Sequence, residues 1–234
     1  MKNRVVLITG GTTGYGYAMV EKFVKNGDRV IATARHADKL AEVKKKVGCD
    51  VFKMDVTEPK DWEALYNYVK ENYGRIDILI NNAGGGVAIK PTVDQKIEDI
   101  DAILRLNLNS AMYGSRIFAP MMMAQKSGTI LNFSSVCAHE AWPEWTVYAA
   151  SKCGVLGFSK GLYTELQPYG IRVTCVLPGC CSTDFQKSAG IAEVEMDLKA
   201  EDLAQSVVDI CNLPPHVVIE EITVWGINQV VIPL

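Results

Sequence analysis

The sequence predicts an α/β protein built on one doubly wound parallel sheet. Short β-branched apolar runs alternate with amphipathic stretches of helical spacing along the chain. That alternation implies right-handed crossovers and a sheet covered on both faces. The two most irregular stretches, 84–96 and 178–199, each follow a strand-like run, where open α/β sheets place their ligands.

Residues 4–9 read as a strand, because Val5-Val6-Leu7-Ile8 is apolar, β-branched and closed by glycines. Residues 14–26 have helical apolar spacing and stop before Gly27, and 29–34 form a second strand. A charged amphipathic helix spans 38–47 and ends at Gly48; 50–54 is a third strand. A helix over 60–73 is closed by Gly74, and 76–80 is a fourth strand. Residues 97–125 are helical with an expected break near 107–109. Strand 129–133, helix 146–166 before Pro168, strand 171–177, helix 201–213 and strand 220–224 complete the order. With no linker, repeat or low-complexity tract, residues 1–234 read as a single domain.

At 234 residues and 48% apolar, the chain can bury a sizeable core. A net charge of −3 gives no basic excess to attract nucleic acid or an anionic membrane. The run Lys44-Lys45-Lys46 follows a helical pattern and reads as a solvated face. The N-terminal apolar run is too short for a signal peptide, and no stretch reaches the roughly 18 apolar residues of a membrane span, so a cytoplasmic location is expected. The seven cysteines are odd in number and lack CxxC or zinc-like spacing, so no metal is expected and most read as small buried hydrophobes. The vicinal pair Cys180-Cys181 stands apart, because it falls in a candidate site loop.

The first strand runs into Thr9-Gly10-Gly11-Thr12-Thr13-Gly14-Tyr15-Gly16 and then a helix. Glycines there allow a tight turn and close backbone approach to a pyrophosphate, while the helix N-terminus offers N–H donors. Gly10, Thr12, Thr13, Gly14, Tyr15 and Gly16 are therefore candidate cofactor-binding residues. The second strand ends Thr33-Ala34-Arg35-His36, without the acid that would hold ribose hydroxyls in an NAD site. The Arg35 guanidinium suits a 2′-phosphate, which favours NADP over NAD.

Tyr148 and Lys152 are four residues apart, so a helix stacks them on one face. An ammonium beside a phenol favours the phenolate, which predicts a Tyr148 pKa lowered from about 10 and a proton donor and acceptor working near neutral pH.

These motifs resemble the short-chain dehydrogenase/reductase family of Rossmann-like oxidoreductases over nearly the whole chain. The signs are Thr9-Gly-x-x-x-Gly-x-Gly16, Asp55-Val56, Asn81-Asn82-Ala83-Gly84, Asn107, Ser135, Tyr148-x-x-x-Lys152 and Pro178-Gly179-x-x-x-Thr183. Ser135 precedes Tyr148 by 13 residues and follows Asn107 by 28, spacings expected of the family. The resemblance implies a catalytic set of Asn107, Ser135, Tyr148 and Lys152. Asp55 and Val56 would border the adenine, with Asn82, Ala83 and Gly84 beside its ribose. Lys152 would hold the nicotinamide ribose and tune Tyr148, and Asn107 would help position a relay water. Pro178, Gly179 and Thr183 would face the nicotinamide. In ketone reduction, Ser135 and Tyr148 can both donate to the oxygen that gains charge. Ser134, one step along a period-two strand, points to the other face and reads as structural.

Within the family the chain is most similar to NADP-dependent dehydrogenases of 3-hydroxy acids and serine. Substrate contacts are expected from Ser135, Cys137, Trp142, Trp145, Tyr148, Cys180 and Phe185. A hydroxy acid would want a cation near its carboxylate, but segments 84–90, 136–145 and 180–196 hold no arginine, leaving only Lys90 and Lys187. Neutral ketones, aldehydes or steroids therefore stay open as substrates, and a non-catalytic NADP-binding regulator is the reading from another class. The resemblance also implies a homo-oligomer, commonly a tetramer; the tail 230–234 is apolar with no obvious partner within the chain, so it is expected to dock on a neighbouring subunit.

Overall fold

A computed structural model describes residues 3–85, 88–181, 185 and 197–229. Seven strands form one parallel sheet: β1 (Val5–Thr9), β2 (Arg29–Ala34), β3 (Asp50–Lys53), β4 (Ile78–Asn81), β5 (Gly128–Phe133), β6 (Ile171–Pro178) and β7 (Glu221–Val224). Their spatial order is β3-β2-β1-β4-β5-β6-β7, so the chain reverses its direction of winding between β1 and β4. The helices are α1 (Gly14–Lys25), α2 (Ala37–Val47), α3 (Pro59–Asn72), α4 (Ile97–Leu104), α5 (Ser110–Gln125), α6 (Thr146–Leu166) and α7 (Ala200–Asn212).

Strand alternation divides the core in two. Val6 and Ile8 face Met19, Phe23, Leu203 and Val207 of α1 and α7. Val5 and Leu7 face Trp62 and Leu65 of α3, Phe118 and Met122 of α5, and Leu162 and Leu166 of α6. Burying both faces is why the strands read as continuous apolar runs. Trp62 is fully buried and donates its indole N–H to the Val56 carbonyl at 2.9 Å, fixing the turn after β3. A chain of buried amides crosses the second layer: Asn81 Nδ2 donates to Asn132 Oδ1 at 2.8 Å, and Asn132 Nδ2 donates to Ser159 Oγ at 3.0 Å.

Two expectations are corrected. The fourth strand begins at Ile78 rather than at residue 76. The backbone N–H and C=O of Ile76 are both taken by the Gln125 carboxamide, so Ile76 leads into the ladder without pairing in it. The long helix does not break near Asn107: a π-helical turn, Arg105–Asn109, carries α4 into α5. Asn107 Nδ2 donates to the Ile103 carbonyl and Ser110 Oγ to the Leu106 carbonyl, so side chains serve carbonyls in the irregular turn.

Candidate active site

A crevice of about 860 Å³ opens at the carboxyl ends of the strands, across the β1/β4 switch point. One wall is the glycine loop. Gly10 has φ +69°, a conformation that favours glycine, and a Cβ on Gly16 would collide with the Gly10 carbonyl. Thr13 precedes α1 with no side-chain cap bond, and the first turn of α1 holds no acid. Its N-terminal N–H groups and positive dipole end therefore face the crevice without an anionic side chain of their own. Asn82 braces this loop, donating through Nδ2 to the Thr9 carbonyl at 2.8 Å, while the backbone N–H of Asn82 and of Ala83 both donate to Thr9 Oγ1 at 3.0 Å.

At the far end the crevice is lined by Ala34, Arg35, His36, Lys39, Met54 and Val56. Arg35 and Lys39 are exposed, so their cations stand at the rim. Asp55 lies outside the lining. Its carboxylate accepts from the Thr57 backbone N–H and hydroxyl at 2.9 and 2.7 Å, which shapes the turn that places Val56.

Ser135, Tyr148 and Lys152 meet at the centre of the crevice. Ser135 lies two residues beyond β5 and caps a short 3-10 turn, Val136–Ala138, whose Cys137 N–H donates to Ser135 Oγ at 3.1 Å. Tyr148 and Lys152 come from the first two turns of α6, with Lys152 Nζ 5.5 Å from the Tyr148 ring centroid. Lys152 Nζ donates to the Phe133 carbonyl at 3.0 Å. Ser134, expected to face away, also lines the crevice, while its hydroxyl donates to the Lys152 carbonyl at 2.8 Å.

The expected acidification of Tyr148 is corrected. Within the protein alone, burial raises the Tyr148 pKa above its ordinary value, against the smaller downward pull of the nearby Ser135 hydroxyl. Burial likewise lowers Lys152 from 10.5 to about 8. Desolvation penalises the phenolate and the ammonium alike, and it is the largest cause of both shifts. Tyr148 is thus a neutral phenol at pH 7.

Asn107 is buried beneath the crevice rather than lining it. Its Oδ1 accepts from the Gly85 N–H at 3.0 Å and its Nδ2 donates to the Gly85 carbonyl at 2.9 Å. Gly84 lies between it and Lys152: a Cβ there would stand 2.8 Å from Asn107 Oδ1 and 3.3 Å from Lys152 Nζ.

Beyond Tyr148 the lining turns aromatic. Trp145 packs edge-on against Tyr148, with centroids 5.5 Å apart, and stacks on Phe185 at 6.1 Å and 22°. Trp142 and Ile89 complete this cluster around Cys137. Trp142 and Trp145 occupy the ends of a tight turn closed by the Trp145 N–H on the Trp142 carbonyl at 3.2 Å. Its centre is Pro143 followed by Glu144 at φ +72°, the pattern of a type II turn with a non-glycine residue in the glycine position. Burial pushes the Cys137 thiol up, so it stays protonated and acts as an apolar wall. Lys90 pairs with Asp99 at 3.4 Å and His139 with Glu221 at 2.5 Å, and neither lines the crevice.

Pro178, Gly179, Cys180 and Cys181 form the remaining wall. Two clamps on it were not foreseen in their detail. The Tyr15 hydroxyl donates to the Gly179 carbonyl at 3.2 Å, and Gln229 Oε1 accepts from the Cys180 N–H at 2.8 Å. Tyr15 was a candidate through its glycine-loop neighbours. Gln229 had no signal, because nothing in its local sequence shows that the chain beyond β7 returns to the crevice. Thr183 and Lys187 lie outside the described residues, as does the tail 230–234.

This fold and this site define a dehydrogenase of nucleotide-binding α/β type. The short chain dehydrogenase family model matches residues 4–193, and the chain belongs to that family. It is 30% identical over 235 residues to a serine 3-dehydrogenase of Agrobacterium fabrum, covering 96% of this chain and 94% of that protein. An oxidoreductase of Staphylococcus saprophyticus is 30% identical over 230 residues, covering 96% and 97%. A closed serine dehydrogenase complexed with NADP+ superposes with a TM-score of 0.93 at 29% identity, covering 98% of each chain. The serine dehydrogenase of Escherichia coli gives 0.86 at 28%, covering 97% of this chain and all of that one.

Proposed function

We propose that the protein is an NADP(H)-dependent oxidoreductase that interconverts a small carbonyl compound and its secondary alcohol, with Tyr148 as general acid and base. The observation that carries this reading is the meeting of Ser135, Tyr148 and Lys152 in one crevice between an uncapped glycine-loop helix and an aromatic patch. NADP fits the residues present. The glycine loop and α1 N-terminus suit the pyrophosphate, and Arg35 and Lys39 suit the 2′-phosphate. Val56, Asn82, Ala83 and Gly84 suit the adenosine half, with Lys152, Pro178 and Gly179 toward the nicotinamide. Similar structures bound to NADP or NADPH support the choice.

When bound, the nucleotide supplies or accepts the hydride. The chain's own part concerns the oxygen. Ser135 Oγ and the Tyr148 hydroxyl donate to it as negative charge develops, and Tyr148 delivers its proton. A phenol kept neutral by burial is the protonation state that reduction requires. Lys152 stabilises the phenolate that remains, and Asn107 holds the loop beside Lys152 through Gly85.

The purified protein should oxidise NADPH when given a suitable carbonyl compound. Tyr148→Phe should remove turnover by about a thousandfold or more while NADPH binding, followed by fluorescence, persists. Undiminished turnover in that variant overturns the assignment of Tyr148. NADPH binding with no turnover across a broad carbonyl panel favours the regulator. The same reading makes residues 1–234 a single domain in a cytoplasmic homo-oligomer, a tetramer packed through α5, α6 and β7, which mass in solution tests.

A further inference from the structure

Resting on that function, we propose that the substrate is an uncharged, flat carbonyl compound, an aryl or cyclic ketone or its alcohol, and that Trp142 and Trp145 set this specificity. The proposal follows from charge and shape at the substrate end of the crevice.

No Asp or Glu lines the crevice among the described residues, and the basic side chains in the lining are Arg35, His36, Lys39 and Lys152. The first three stand at the opposite end, with the β2 terminus. Lys152 is buried, bonded to the Phe133 carbonyl and packed beside the Tyr148 ring, where it serves the proton donor. Two further basic side chains have partners outside the lining, Lys90 on Asp99 and His139 on Glu221. Among the described residues, a carboxylate bound at this end would lose its hydration without gaining a free cation, and a substrate ammonium would find no acid. At this end the Ser135 and Tyr148 hydroxyls can both donate to one carbonyl oxygen.

Shape points the same way. Trp142, Trp145, Phe185, Ile89 and the protonated thiol of Cys137 pack in one apolar cluster with Tyr148, and Trp142, Trp145 and Phe185 line the crevice. Aromatic walls of this kind favour planar apolar guests. The turn that carries both tryptophans places Glu144 at φ +72°, where glycine is the low-energy choice. The turn therefore holds its indoles at the entrance through a conformation that the surrounding packing must enforce.

The test uses the full chain with NADPH and a matched pair of substrates, an aryl methyl ketone and the same ketone bearing a ring carboxylate. Serine and a short 3-hydroxy acid are assayed alongside in the oxidative direction with NADP+. The neutral ketone should exceed its carboxylate analogue in kcat/KM by about a hundredfold or more, and serine should be no better than the analogue. Trp142→Ala, checked for folding by circular dichroism, should raise KM for the aryl ketone about tenfold while KM for NADPH stays within about twofold. Equal or better turnover of serine, the hydroxy acid or the carboxylate analogue overturns the substrate class and leaves the oxidoreductase reading standing. Retained NADPH binding with turnover of neither panel overturns the oxidoreductase reading, and this inference with it.

Discussion

The Ser134 hydroxyl donates to the Lys152 carbonyl at 2.8 Å and fastens the middle of α6 to the end of β5. The Lys152 ammonium returns the contact one residue earlier, on the Phe133 carbonyl at 3.0 Å. This pair of bonds holds the ammonium in place beneath Tyr148 without a carboxylate to neutralise it. Its position is bought with desolvation, which lowers its pKa to about 8.

Lys152→Met should therefore stabilise the nucleotide-free protein while removing its activity. A lysine whose folded pKa lies below its unfolded value of about 10.4 destabilises the fold most below pH 8. That penalty fades as pH rises through the unfolded pKa. Urea unfolding at pH 7 should show the variant more stable by about 1–3 kcal/mol, with the gap closing toward pH 10. A less stable variant at pH 7 would contradict this account.

Asn107→Ala removes both bonds to Gly85 and the bond to the Ile103 carbonyl. It should cost about 1–3 kcal/mol in unfolding free energy, because buried backbone groups lose partners. Turnover should fall about tenfold to a hundredfold through the loop beside Lys152. Unchanged stability and turnover would show that Gly85 does not need the carboxamide.

Much of this architecture was legible because alternation and helical spacing are local. Val5 to Ile8 announce both faces of β1, and the strand and helix limits differ from expectation by only a few residues. The irregularity at Arg105–Asn109 was legible in position but not in kind: a break was expected near 107–109, and the π turn instead leaves the apolar spacing of its flanks intact. The direction of the Tyr148 pKa was misread for a related reason. A four-residue spacing shows that an ammonium is near but not how much solvent both groups lose. Gln229 was invisible because it acts on Cys180 across 49 positions of sequence.

Cofactor choice should follow the rim of β2. Arg35 is exposed and lines the crevice, so Arg35→Ala should raise KM for NADPH about tenfold and leave NADH nearly unchanged. Ala34→Asp adds the acid that this strand end lacks and should shift preference toward NADH by holding ribose hydroxyls and repelling a 2′-phosphate. Initial rates with each nucleotide decide it. Equal use of both by the unaltered protein would contradict the NADP assignment.

Tyr15 joins the two ends of the crevice. It leaves the glycine loop at the start of α1, packs its ring 6.4 Å from that of Phe133, and donates to the Gly179 carbonyl. Burial raises its pKa, so the hydroxyl remains a donor across the working pH range. Tyr15→Phe keeps the ring contact and deletes only the polar bond. Because one neutral hydrogen bond is worth about 0.5–1.5 kcal/mol, KM for NADPH should rise about twofold to tenfold while unfolding free energy moves by about 1 kcal/mol or less. A larger loss of stability with KM unchanged would show that the hydroxyl supports the core rather than the alignment of the two loops.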